Sequence, residues 1–133
     1  MTRILFVDDE PHILDGLQRT LRAQRRVWNM TFVTSGHAAL SAMEEEPFDV
    51  VVTDMKMPGM NGVELLEHIR AHHPRTGRLV LSGQIDTDAF GRSVSVSHHV
   101  LTKPCDRETL RRTIDRMCGP HSLLSETVEV DEQ

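Results

Sequence analysis

The sequence predicts an α/β fold, with a central parallel sheet covered by helices on both faces. Three observations predict it. Five short apolar segments alternate with segments whose apolar residues recur at helical spacing. The middle one, Val50-Val51-Val52, is apolar without a break, as in a strand buried on both sides. A chain of 133 residues suits one domain, whose core removes about two-thirds of the unfolded surface from water.

The elements follow in order. Arg3 to Val7 reads as a buried strand ended by Asp8-Asp9-Glu10. Pro11 suits the first turn of a helix, because the N–H it lacks has no partner there. Ile13, Leu14, Leu17 and Leu21 share one face of that helix, and Arg22, Arg25 and Arg26 lie near the negative end of its dipole. Trp28 to Val33 alternates as a more exposed strand. Gly36 to Glu46 is a second helix stopped by Pro47. Phe48 to Thr53 is the third strand and ends at Asp54. Met57 to Gly62 is a loop signal. Val63, Leu65, Leu66 and Ile69 mark a third helix that closes before Pro74. Arg78 to Leu81 is a fourth strand, Asp86 to about Val96 a short fourth helix, and Val100 to Thr102 a fifth strand. Leu110, Ile114 and Met117 define the last helix. Residues 119–133 read as a polar, acidic tail or the start of a linker, and Val128-Glu129-Val130 is too short to be expected as a strand.

Composition excludes several function classes. Fifteen basic against twenty acidic residues leave a net charge of −5, which argues against direct nucleic-acid binding. The longest apolar runs, such as Ile4-Leu5-Phe6-Val7, hold three or four residues, where a membrane span needs about twenty. No membrane association is expected. Two cysteines, Cys105 and Cys118, give neither a disulfide framework nor a paired metal motif, so a reduced, cytoplasmic protein with free thiols is expected. The pairs His72-His73 and His98-His99 lack the helical spacing of a zinc protease and read as exposed helix-end or loop residues. No Walker or dinucleotide glycine pattern occurs.

The residues with chemistry fall at strand ends. In a doubly wound sheet, ligands bind beyond the carboxyl ends of the strands, near the switch in strand order. Asp8 and Asp9 follow the first strand, Asp54 the third, Ser82 the fourth and Lys103 the fifth. Carboxylates about 4 Å apart repel by roughly 4 kcal/mol at an effective dielectric of 20, and a hard cation such as Mg²⁺ relieves that repulsion. Lys103 adds a counter-charge and Ser82 a hydroxyl. That set suits phosphoryl transfer, where positioning and charge neutralisation dominate, and a carboxylate can itself be the nucleophile.

Four pieces in this order carry a resemblance: Phe6-Val7-Asp8-Asp9-Glu10, Asp54-Met55-Lys56-Met57-Pro58-Gly59-Met60-Asn61-Gly62, Leu81-Ser82-Gly83 and Leu101-Thr102-Lys103-Pro104. The chain resembles a receiver domain of two-component response regulators, over residues 3 to about 118. The resemblance implies a flavodoxin-like five-stranded sheet in the order 2-1-3-4-5, the order known for a chemotaxis receiver, with the receiver over residues 1–118. It implies that Asp54 accepts a phosphoryl group from a sensor histidine kinase or phosphotransfer protein. Asp9 would bind Mg²⁺ directly, Asp8 would help through water, and the backbone carbonyl of Lys56 would be a further ligand beside Asp54. Lys103 would pair with the phosphoryl group. Ser82 would bond to it and switch the conformation, to control an output domain or partner. Family members usually carry an aromatic residue where this chain has Val100, so the aromatic half of the usual switch is missing. Lys56 and Gln84 occupy positions that tune phosphoryl lifetime in the family. A homodimer through the face of the fourth helix, fifth strand and fifth helix is a family expectation. Leu81-Ser82-Gly83-Gln84 and Lys103-Pro104-Cys105-Asp106 resemble, more narrowly, receivers joined to HD-type output domains.

Two other functions compete. A haloacid dehalogenase-type phosphatase also uses an aspartyl phosphate, a hydroxyl, a lysine, an acidic pair and Mg²⁺. It places the nucleophile first and needs Asp two positions later, where this chain has Lys56. A pseudo-receiver would act as an interaction module without phosphorylation. The complete set of five site residues speaks against it.

Overall fold

The structure is a computed structural model that describes residues 2–83, 97, 99–103, 105–118 and 129–131. Its elements are β1 (Thr2–Val7), α1 (Pro11–Thr20), a 3-10 turn (Arg22–Arg26), β2 (Trp28–Val33), α2 (Gly36–Glu45) and β3 (Val50–Thr53). They continue with α3 (Gly62–His72), β4 (Gly77–Ser82), β5 (His99–Thr102), α4 (Arg107–Cys118) and β6 (Glu129–Asp131). All adjacent strands pair in parallel, in the order β2-β1-β3-β4-β5-β6. The expected order 2-1-3-4-5 is therefore present, with one more strand beyond β5.

Alternation along each strand sorts the core into two layers. Leu5, Val7, Val51, Val80 and Val100 meet Ala39 and Met43 of α2 and Val63, Leu66 and Ile69 of α3. Ile4, Phe6, Val50, Val52, Leu79 and Leu101 meet Leu14 of α1 and Leu110, Ile114 and Met117 of α4. The unbroken Val50-Val51-Val52 run is explained by this two-sided burial. Four helices are described. The expected helix over Asp86–Val96 lies outside the described residues.

Helix ends follow from their cap residues. Ser35 accepts from the Ala38 N–H at 3.0 Å and starts α2. Asn61 and Glu64 close a reciprocal capping box at α3, with contacts of 2.9 and 3.0 Å. Asp106 accepts from the Thr109 N–H at 2.7 Å and starts α4.

The structure corrects four expectations. Leu21, expected on the face of α1, is its C-cap, and the arginines beyond it form a separate 3-10 turn. The third strand is shorter than Phe48–Thr53, although the Asp49 N–H still reaches the Arg3 carbonyl at 2.8 Å. His99 is fully buried in β5, opposite Leu79, because that strand starts one residue earlier than its apolar letters suggest. Glu129–Asp131 pairs with β5 despite its shortness. Its backbone satisfies groups that would otherwise stand unpaired along the β5 edge, and that need is invisible in a three-residue window.

The Asp106 cap gives a pH-dependent test. The Thr109 N–H, then the Thr109 hydroxyl, hold the Asp106 carboxyl below its ordinary range. A carboxyl depressed on folding stabilises the fold above its unfolded value, and loses that contribution as pH falls through its folded value. Asp106→Ala is expected to lower the urea midpoint at neutral pH, and the gap to the natural chain is expected to shrink as the solution is acidified. A gap that stays constant to low pH would show that the carboxylate is not the cap.

Candidate functional site

The switch in strand order lies at β1, which has β2 on one side and β3 on the other. Val7 and Thr53 are register partners, so the residues after them leave the sheet side by side. Asp8, Asp9 and Asp54 thereby come together, each with a carboxylate oxygen within 4.8 Å of the others. Asp8 is buried, while Asp9 and Asp54 are half-buried.

Both Asp8 oxygens have partners. One accepts the Glu10 N–H at 3.0 Å, which shapes the entry to α1. The other accepts from Lys103 Nζ at 3.0 Å. Lys103 leaves the sheet at β5, three strand positions from β1, and strands are spaced about 4.8 Å apart. A long side chain is therefore required. Its flank lines a small void with Leu17, Val52 and Leu81, beneath the carboxylates. Of the Lys103 side chain, 23% is exposed, against 4% for Asp8, so the contact is shielded on the acid's side.

Asp54 is held by its own loop. Its N–H donates to the Val7 carbonyl at 3.0 Å, and one carboxylate oxygen accepts the Met55 N–H at 2.8 Å. The Gly62 N–H, at the start of α3, donates to the Met55 carbonyl at 2.9 Å. A Cβ on Gly62 would collide with the Asp54 carbonyl oxygen, so only glycine lets α3 approach this closely. Gly59 has φ of +74°, which turns the chain between Asp54 and α3.

A cleft of about 420 Å³ opens over this cluster and is lined by Asp9, Glu10, Ile13, Asp54, Lys56, Gly83 and Lys103. A more voluminous one, about 590 Å³, lies against β2 and carries Arg19, Arg22 and Arg25. Its lining includes a single carboxylate, Asp15, and none of the strand-end residues above. The expected strand-end residues Asp9, Asp54 and Lys103 therefore line the smaller cleft.

The expected site residues are placed as follows. Asp8, Asp9, Asp54 and Lys103 converge, and Lys56 lines the same cleft. Ser82 ends β4 in register with Thr102, one residue before Lys103, while its hydroxyl lies outside the described residues, as does Gln84. Val100 is fully buried in the layer beneath α2 and α3. Gly62 escaped sequence reasoning as a positioning residue. Its place after Asn61 signalled a loop and a helix start, but the contact with Asp54 is a tertiary fact. Cys105 and Cys118 are free thiols, as expected, and burial followed by the Asp49 and Asp115 charges pushes Cys118 up to about 11.

Carboxylate oxygens around one open point suit a hard divalent cation with water completing its sphere. The donor set therefore fits Mg²⁺, with Asp8, Asp9 and Asp54 as the available ligands.

The family model for the response regulator receiver domain matches residues 4–115. The hydrogenase transcriptional regulatory protein HoxA of Cupriavidus necator is 38% identical over 130 residues, covering 96% of this chain and 26% of its own length. The chain spans about a quarter to a third of the curated relatives it matches. Among solved structures, the chemotaxis protein CheY4 of Vibrio cholerae is similar with a TM-score of 0.78 and 28% identity, over 87% of this chain and 98% of that one. The signal receiver domain of an HD domain-containing protein from Pseudomonas fluorescens Pf-5 is similar with a TM-score of 0.79 and 27% identity, over 84% and 89% of the two chains.

Gly62→Ala tests the close approach. Forcing a methyl group against a backbone carbonyl costs about 1–3 kcal/mol in overpacked interiors, and backbone gives way less readily than a side chain. The urea midpoint is expected to fall accordingly. An unchanged midpoint would mean that α3 does not pack on the Asp54 carbonyl as described.

Proposed function

The chain belongs to the response regulator receiver domain family, and from that premise we propose that it is a phosphorylation-driven switch with Asp54 as the phosphoacceptor. Receiver domains are signalling domains of two-component systems rather than conventional enzymes. The observation that carries the reading is the convergence of Asp8, Asp9 and Asp54 within 4.8 Å, with Lys103 bonded to Asp8.

An Asp54 carboxylate oxygen attacks the phosphorus of a phosphohistidine on a sensor kinase or phosphotransfer protein. A new O–P bond forms as the N–P bond breaks, and the departing imidazole nitrogen keeps the electron pair. The product is an acyl phosphate on Asp54. The Met55 N–H holds one Asp54 carboxylate oxygen and so orients the carboxylate. Asp8, Asp9, Asp54 and the Lys56 carbonyl would hold Mg²⁺, which would supply positive charge to offset that of the phosphoryl group.

The acyl phosphate brings acceptor oxygens into the cleft that Lys103 lines, where they compete with Asp8 for the ammonium group. The Ser82 hydroxyl donates to the same phosphoryl group and draws the following segment inward. Val100 gives no swinging aromatic ring, so the output signal depends on Ser82 and on the strand-end segments. Phosphorylation then controls an output domain or partner protein, and the coverage of the curated relatives supports an output outside these residues. Two phosphorylated copies would pair through the face of the expected fourth helix, which lies outside the described residues, together with β5 and α4. Residues 1–118 carry the receiver, and Glu129–Asp131 adds a strand to its sheet beside β5. A cytoplasmic location fits the two free thiols, and among the described residues no helix is long and apolar enough to cross a membrane.

The haloacid dehalogenase reading has no support at the position it needs, since Lys56 stands two residues after Asp54. A pseudo-receiver would leave the acceptor unused.

Acetyl phosphate with Mg²⁺ is expected to add the mass of one phosphoryl group to the natural chain, placed on Asp54 by peptide mapping. Asp54→Asn is expected to abolish the addition, and EDTA to suppress it. No added mass, beside a control receiver that is labelled, would refute the switch. Continuous turnover of small phosphate esters that depends on Asp54 would instead favour the hydrolase.

A further inference from the structure

A second set of metal-binding groups lies on α3, outside the acidic cleft. His68 and His72 are both exposed and one helical turn apart. Their rings stack with centroids 4.1 Å apart and planes 19° apart. His72 Nδ1 lies 3.0 Å from the His68 carbonyl oxygen. A carbonyl can only accept, so Nδ1 carries the proton in that contact. The other ring nitrogen, Nε2, keeps its lone pair in the neutral ring. A hydrogen bond of this kind, from the non-coordinating nitrogen to a carbonyl, is what fixes ring orientation in metal-bound histidines.

The spacing is also right. Residues four apart on a helix are neighbours, whereas adjacent residues do not face each other. Tetrahedral Zn²⁺ with nitrogens at about 2.0–2.1 Å needs two of them roughly 3.4 Å apart. The rings stand stacked, so His68 must turn out of the stack about its side-chain torsions before both Nε2 lone pairs meet on one ion. The helix is already anchored by buried Leu65, Leu66 and Ile69, so the chelate needs no backbone ordering.

We propose that His68 and His72 form a two-histidine site for one borderline divalent ion of the Zn²⁺, Ni²⁺ or Cu²⁺ class. Its open positions are filled by water or by a ligand from another molecule. Imidazole nitrogen prefers such ions, while carboxylate oxygen prefers Mg²⁺. The chain thus sorts cations between two places: hard ions at the strand ends, borderline ions on the outer face of α3. His73 is the residue that caps α3, adjacent to His72 and so not on the face that His68 and His72 share, and it is left out of the pair.

The test is a calorimetric titration of the full chain with NiCl₂, and separately with ZnCl₂, in excess Mg²⁺ so that the acidic cluster does not compete. One ion per chain is expected to bind. His68→Ala and His72→Ala are each expected to weaken binding by about tenfold or more, since loss of a ligand costs at least as much as loss of a ligand's hydrogen-bond partner. His73→Ala is expected to bind as the natural chain does. Ni²⁺ is also expected to broaden the amide signals of the last turns of α3 in the natural chain, a readout that needs no variant. Absence of uptake, uptake unchanged in the double variant His68→Ala His72→Ala, or loss confined to His73→Ala would overturn the site.

Discussion

Like charges forced together at the sheet's carboxyl rim are the constraint on which the rest depends. Three carboxylates meet within 4.8 Å, and a pair at that distance repels by about 3.5 kcal/mol at an effective dielectric of 20. The bond from Lys103 to Asp8 offsets part of this. The remainder leaves the rim with a deficit of positive charge that a hard cation relieves. Parallel topology makes the crowding unavoidable: β1 and β3 are neighbours in register, so the acids that follow them emerge side by side.

The two core layers hold those strand ends in place. Strands β1, β3, β4 and β5 are clamped from both faces, and neither layer can shift without disturbing the other. The Gly62 contact extends this clamp to the acceptor loop itself, because α3 rests directly on the Asp54 backbone. A change at the acceptor is therefore felt by a packed helix as well as by the loop. Val100, buried among aliphatic neighbours, takes no part in an aromatic switch and serves the core instead.

Much of this was legible in the sequence because it depends on local pattern. Apolar runs ended by acids located the strand ends, and the loop signal over Met57–Gly62 followed by helically spaced apolar residues located α3. What escaped depends on tertiary partners. The pairing of β6 answers the open edge of β5 rather than any signal in its own residues. His99 looked like a loop residue because a polar letter hid the first position of a buried strand. The proximity of Lys103 to Asp8 in particular, among three acids, required coordinates. His68 stands at helical spacing from His72, a relation that the adjacent pair His72-His73 masks in the sequence.

The measurement that bears most directly on the charge crowding is the urea midpoint of Asp54→Asn beside the natural chain, both in EDTA. Asparagine keeps an oxygen for the Met55 N–H and removes one negative charge. The account predicts a variant more stable than the natural chain by between about 1 and 3.5 kcal/mol, the Coulomb range for one pair at this separation for dielectrics between water's and 20. An Asp54→Asn variant equally or less stable without divalent ions would contradict it.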